Sequence, residues 1–243
     1  MWDYSFMTLA LLMWVPALVM WMVRPDLRGV MKRMALLSLP FAATERLFYP
    51  EYWSPPFVLD LVNRIGFGVE DILFVTALAV IASTLYAVMG GKHYRPVKAG
   101  GRRQRGEVVR RVALLLGACF GLVGLLVWWD VAMIYGACII MAALGGVMVM
   151  GRLDLAWGSA VGALAMAGLY LGICWVLMGL HPGVFEEHWH TDEFLDRYVA
   201  GVPLEEVLYA GAAGFVATAF YPYCWGKRFS DSPVGDEVQG SKV

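Results

Sequence analysis

Two pairs of adjacent acidic residues stand at the beginning of two long apolar stretches. Glu70 and Asp71 open the first stretch, and Glu205 and Glu206 open the second. A shift of 135 residues superposes the first stretch on the second without a gap. The same shift superposes Gly66 on Gly201, Phe74 on Tyr209, Tyr86 on Tyr221 and Lys92 on Lys227. An acid pair therefore occurs once in each half of the chain.

Acidic residues at these positions have a structural and a chemical explanation. The helix dipole favours carboxylates in a first turn, so the acids could simply begin helices. In both stretches, however, an aromatic residue follows the first acid by four positions, at Phe74 and Tyr209, and shares its helix face. A carboxyl buried beside a like charge tends to keep its proton, and an aromatic face stabilises a cation. The recurrence favours a Brønsted acid that protonates a polyene in a dry cleft.

The composition indicates a membrane protein. The 243 residues are 60% hydrophobic and 16% charged, with a mean hydropathy of +0.62, whereas soluble domains are about a quarter charged. The net charge of −1 gives no sign of a nucleic-acid partner. We expect an integral membrane protein in contact with lipid and without a bound metal.

Seven apolar segments predict an all-α fold of seven transmembrane helices. The segments cover about 5–23, 34–49, 67–89, 112–129, 131–150, 156–179 and 202–225. The second segment is short and carries Glu45 and Arg46, and the fourth and fifth could be one long bent helix. We interpret the chain as two parallel three-helix repeats, about 5–92 and 131–227, joined by a connector helix at about 112–129. They form one domain over 1–229, followed by a disordered cytoplasmic tail at 230–243. Parallel repeats of this kind place a shared site at their interface.

Positive charge predicts the orientation of these helices. In the seven-helix arrangement, 16 of the 19 Lys and Arg residues lie on one side of the membrane. Because cytoplasmic loops carry an excess of Lys and Arg, we expect the N-terminus outside and the C-terminus in the cytoplasm.

The two acid motifs resemble a motif of a known enzyme family. "GVPLEEVLY" and its counterpart "GVEDILF" are similar to the PxE(E/D)xxxF-type motif of the lycopene cyclase domain, the membrane-integral class of carotenoid cyclases that lacks a flavin. That family has one motif in each three-helix unit. Two departures stand out: Gly68 occupies the family's proline position, and Glu45 stands where the family usually has an aspartate.

The resemblance implies an activity and a set of site residues. The activity is conversion of the linear ends of lycopene, or of a related carotenoid or isoprenoid, into rings by protonation, with no net redox change and no cofactor. The alternative is a non-enzymatic seven-helix protein, either an isoprenoid or lipid binder or a transporter, and a homo-oligomer is compatible with both. The candidate catalytic acids are Glu70, Asp71, Glu205 and Glu206, and the candidate substrate contacts are Phe74, Tyr209, Tyr86, Tyr221 and Glu45.

The helix faces predict which acids point into the cleft and which point sideways. Since Glu70 and Glu205 share their faces with the aromatic residues, we expect these first acids to face the cleft and the second acids to lie laterally. The tryptophans before each motif, Trp53 and Trp189, read as anchors at the membrane interface.

Reporter fusions test the predicted orientation. A reporter that is active only in the cytoplasm should give a signal when it is fused after Met89 or Gly226, and none when it is fused after His181. A cytoplasmic signal at His181 would contradict both the seven-helix topology and the placement of the acid pairs at the outer side.

Overall fold

A computed structural model describes residues 4–97 and 105–231, and this part of the chain is mainly helical. The helices are α1 (Ser5–Val23), α2 (Arg28–Ser38), α3 (Leu61–Ile65), α4 (Val69–Met89), α5 (Arg105–Trp128), α6 (Met133–Gly151), α7 (Ala156–Leu180), α8 (Val184–His188) and α9 (Leu204–Trp225). The short strands are β1 (His93–Pro96), β2 (Tyr198–Val199), β3 (Val202–Pro203) and β4 (Lys227–Ser230).

Six helices in the described residues are long and apolar enough to cross a membrane. They are α1, α4, α5, α6, α9 and α7 with the turn that precedes it, which together cover Leu153–Leu180. The second predicted segment is not among them, so the arrangement of seven spanning helices is not confirmed. In its place α2 continues as a 3₁₀ helix over Leu39–Leu47. Pro40 lies at the start of this segment and has no backbone N–H, which accounts for the end of the α-helical ladder.

The fourth and fifth predicted segments are separate helices. α5 ends at Trp128 and α6 begins at Met133, and Asp130 between them has a positive φ of 55°. The predicted tail begins inside β4, which includes Ser230, and its residues from 232 onward lie outside the described part.

The helices of the two halves pack in corresponding ways. α4 packs against α1 and α2, α9 packs against α6 and α7, and α4 and α9 contact each other at the centre. By contrast α5 contacts mainly α6, and none of its residues is buried. The connector helix therefore lies at the periphery of the bundle.

An arginine makes corresponding contacts at the basic end of each half of the chain. Arg24 pairs with Asp26 and donates to the carbonyl of Lys92, while Arg152 pairs with Asp154 and donates to the carbonyl of Lys227. These two lysines are the residues that the 135-residue shift superposes. Strands β1 and β4 follow directly and pair antiparallel, which joins the halves at this end. The acid pairs lie at the opposite ends of α4 and α9.

The close contact between α7 and α9 depends on a glycine. A Cβ atom on Gly214 of α9 would lie 2.5 Å from the carbonyl oxygen of Gly162 and 2.6 Å from Cβ of Met166, both on α7. The backbone of α7 cannot move aside as a flexible side chain could. Small residues of this kind let membrane helices approach closely.

We therefore expect Gly214→Ala to lower stability by about 1–3 kcal/mol, because the added methyl group overpacks the α7–α9 interface. Thermal unfolding in detergent, followed by circular dichroism, measures the effect. Gly211→Ala on the same helix is the matched control, since its new Cβ would have no neighbour nearer than 3.7 Å. Equal melting temperatures for the two variants would contradict the close approach of α7 and α9.

Candidate active site

Three carboxyl side chains line one internal cavity near the acidic ends of α4 and α9. They are Glu45 from the 3₁₀ segment, Asp71 from α4 and Glu206 from α9, and the cavity volume is about 60 Å³. All three side chains are buried. Aromatic residues from both halves complete the walls, namely Phe6, Phe48, Tyr52, Trp53, Phe74, Tyr170 and Tyr209. We call this cavity the acidic chamber.

The first acid of each pair holds the preceding loop instead of lining the acidic chamber. Glu70 Oε1 accepts a hydrogen bond from the backbone N–H of Val58 at 2.6 Å. Glu205 Oε1 accepts one from the backbone N–H of Leu195 and one from the Tyr135 hydroxyl, both at 3.1 Å. The expectation that the first acids face the cleft is therefore wrong. A backbone N–H needs an acceptor, and the hydrogen bonds to the loop N–H groups turn the first acid of each pair toward its loop.

Asp71 is bonded to its own helix and lies beside a second acid. Its Oδ2 accepts a hydrogen bond from the backbone N–H of Gly68 at 2.6 Å, which caps α4. The carboxyl of Glu45 lies close enough to that of Asp71 for the two groups to interact and to form a hydrogen bond when one of them is protonated. A hydrogen bond between two carboxyl groups requires a proton on one of them. The Glu45–Asp71 pair is thus arranged to hold a proton inside the acidic chamber.

The structure explains why glycine occupies position 68. A Cβ atom there would lie 2.5 Å from Oε2 of Glu70 and 2.7 Å from the Phe57 ring. Proline would also remove the N–H that Asp71 accepts. The departure from the proline of the family motif therefore follows from the packing around α4.

Glu206 receives three hydrogen bonds from three different segments. The Tyr52 hydroxyl and the Trp189 indole N–H each donate to Oε1 at 3.0 Å, and the Tyr170 hydroxyl donates to Oε2 at 2.7 Å. Burial and the neighbouring Glu206 raise the pKa of Tyr52 well above its ordinary value, so this phenol stays protonated and donates. An indole N–H can only donate. Each of these hydrogen bonds favours the ionised form of Glu206, whereas burial of the side chain opposes ionisation.

The two loop tryptophans form part of the site. Trp53 and Trp189 are 8% and 3% exposed, so the expectation that they anchor the membrane interface is wrong. They form an isolated antiparallel bridge, and their ring centroids lie 5.1 Å apart. Trp53 donates its indole N–H to Oε1 of Glu45 at 2.6 Å, as Trp189 does to Glu206. Each half of the chain therefore supplies one loop tryptophan that donates to one chamber acid.

The predicted substrate contacts divide between the two ends of the bundle. Phe74 and Tyr209 line the acidic chamber together with Glu45. Tyr86 and Tyr221 do not reach it, because they lie near the basic ends of their helices. There Tyr86 packs against Phe229, and the Tyr221 hydroxyl accepts a hydrogen bond from Arg33.

A larger cavity adjoins the acidic chamber. Its volume is about 220 Å³, and it lies between α5 and a wall made of the α2–3₁₀ segment, α4, α6 and α9. Its lining is almost wholly apolar, and no charged side chain of the described residues borders it. It shares five lining residues with the acidic chamber: Phe41, Thr44, Phe48, Val75 and Tyr209. We call this cavity the apolar groove.

Several residues that build the site had no predicted role in it. Tyr52, Trp53 and Trp189 lie in loops before the acid motifs, and that position is the one available signal. Phe48 and Tyr170 gave none, because each lies in an apolar stretch where an aromatic residue is ordinary core.

Comparison with known proteins gives one family match, over part of the chain. A family model described as lycopene cyclase matches residues 132–224, a segment that contains α6, α7 and most of α9, including Glu206 and Tyr170. No curated protein and no solved structure matches the chain. The match supports a carotenoid cyclase-like role, and with it the assignment of this membrane protein to the lycopene cyclase domain family.

Proposed function

We propose that the protein converts the linear end groups of lycopene, or of a closely related carotenoid, into rings by acid catalysis in the acidic chamber. The observation that carries the proposal is the unequal state of the chamber acids. Glu45 and Asp71 lie side by side, where the two carboxyl groups can hold one proton between them, whereas Glu206 is surrounded by three donors. Titratable groups whose environments differ in this way are typical of paired acid and base roles.

The first step is proton transfer to the substrate. A proton moves from the Glu45–Asp71 pair to the terminal double bond of the end group, which leaves a carbocation on the adjacent carbon. The next double bond of the chain attacks this cation, so that a carbon–carbon bond forms and the six-membered ring closes. The positive charge then lies within the new ring.

The second step returns the proton. The ring cation loses a proton from a neighbouring carbon to Glu206, and a ring double bond forms. Transfer of that proton back to the Glu45–Asp71 pair restores the starting state. Atoms and electrons balance without an oxidant or reductant, so the reaction is an isomerisation.

The walls of the acidic chamber suit a cationic intermediate. The aromatic side chains of Phe48, Phe74 and Tyr209 line it, and aromatic faces attract a positive charge. The chamber is buried, which keeps water from capturing the cation. The adjoining apolar groove provides a hydrocarbon environment for the rest of the polyene.

Substitution of the chamber acids tests the mechanism. In bacteria that accumulate lycopene, Asp71→Asn and Glu206→Gln should each lower the yield of cyclic carotenoid by about 10²–10⁴-fold, because each removes a proton donor or acceptor. Pigments are separated by chromatography, and protein is quantified in the membranes. Glu186→Gln, at an exposed acid of the outer loop, is the control and should convert lycopene at the parent rate.

The first acids provide a contrasting pair of variants. Because Glu70 and Glu205 hold loops, Glu70→Gln and Glu205→Gln should retain more turnover than the chamber variants. Parent-level conversion by both Asp71→Asn and Glu206→Gln would overturn the acid mechanism. Lycopene that copurifies with the protein and is never converted would favour the non-enzymatic binder instead.

Removal of one donor to Glu206 gives a second test. Trp189→Phe keeps an aromatic ring but deletes the indole N–H, which forfeits about 1.5–3 kcal/mol of hydrogen bonding to a charged group. We expect slower turnover in isolated membranes with unchanged lycopene binding. Trp175→Phe is the matched control, since the indole of Trp175 donates to the carbonyl of Ala200 at the exposed surface. Equal turnover in both variants would argue against a role for the three-donor arrangement.

A further inference from the structure

The acidic chamber and the apolar groove adjoin each other. Two aromatic side chains, which we call the aromatic threshold, lie where they meet. Phe48 and Tyr209 line both cavities, and their rings meet edge to face with centroids 6.4 Å apart. An end group that moves from the groove into the chamber passes the residues that the two cavities share, and this pair is among them. Phe48 comes from the 3₁₀ side and Tyr209 from α9, so the threshold is built by both halves of the chain.

The groove has the shape of an extended hydrocarbon. Along α6 it runs from Met133 to Met148, and along α9 from Tyr209 to Phe220. At 1.5 Å of rise per residue these spans are about 22 Å and about 16 Å long. The groove therefore follows the helix axes away from the acidic chamber and toward the basic end of the bundle. A stiff conjugated chain lying in it has no room to turn end over end.

The two acid motifs serve one chamber and not two. Asp71 of the first motif and Glu206 of the second line the same cavity, and in the described residues both reach the groove across the same aromatic pair. The duplication of the motif thus supplies two unequal acids to one end group. It does not supply one acid site for each end of the substrate.

From this geometry we infer that the protein cyclises one end of a two-ended carotenoid in each binding event. The end that lies in the acidic chamber forms its ring, and the far end stays in or beyond the groove. A second ring requires the molecule to leave and to enter again in the reverse direction. The monocyclic carotenoid is then a released product and also a substrate. This inference rests on the proposed cyclase function.

A time course of products tests the inference. Purified protein is placed in liposomes that hold lycopene in large excess, and samples are separated by chromatography. The monocyclic carotenoid should predominate while most lycopene remains, and fresh lycopene should delay the bicyclic product by competition. A product that stays monocyclic throughout also supports release after one ring. A bicyclic product that appears from the first samples without free monocyclic carotenoid would overturn the inference.

A groove variant separates this inference from the proposed function. Ala137→Phe places a ring in the groove, and Ala142→Phe places the same ring on the exposed side of the same helix. Lycopene that copurifies with the protein, measured by its absorbance, should be lost in Ala137→Phe and kept in Ala142→Phe. Unchanged binding in Ala137→Phe would overturn the groove as the polyene site. Normal groove binding without any conversion would overturn the proposed function instead.

Discussion

The architecture of the site depends on the hydrogen bonds to one acidic side chain, that of Glu206, inside an apolar bundle. A buried carboxyl group in such surroundings needs hydrogen-bond partners that replace the water it has lost. Glu206 obtains these partners from Tyr52 in the loop before α3, Tyr170 in α7 and Trp189 in the loop before α9. No single helix could supply all three. The requirement therefore brings the two loops and α7 together around the end of α9.

The two acid motifs differ because their helices begin differently. Gly68 has an N–H, and Asp71 accepts it and so caps α4. Pro203 has no N–H, so Glu206 cannot make the same bond to its own helix. Its carboxyl group instead accepts hydrogen bonds from Tyr52, Tyr170 and Trp189. A change of one residue at the helix start thus separates an acid that is tied to its backbone from one that is held by side chains.

Part of this arrangement can be predicted from the sequence. The length of the apolar stretches predicts the spanning helices, and the position of the acid pairs places them at helix starts. Which acid faces inward does not follow from helix periodicity, because the loop N–H groups of Val58 and Leu195 decide it. These contacts join residues at least ten positions apart, beyond the reach of local patterns. The α-to-3₁₀ change near Pro40 likewise shortens a segment whose hydropathy alone predicts a membrane span.

The bridge between Trp53 and Trp189 also has a consequence for how the protein is synthesised. The two residues lie in loops of opposite halves of the chain, and the six helices from α3 to α8 lie between them in the sequence. The Trp53–Trp189 contact beside the acidic chamber can form only after the ribosome has made all of these helices and the second loop. During synthesis the first half of the protein carries Glu45 and Asp71 without their partner Glu206. An emerging chain therefore lacks the complete set of chamber acids until α9 has been synthesised.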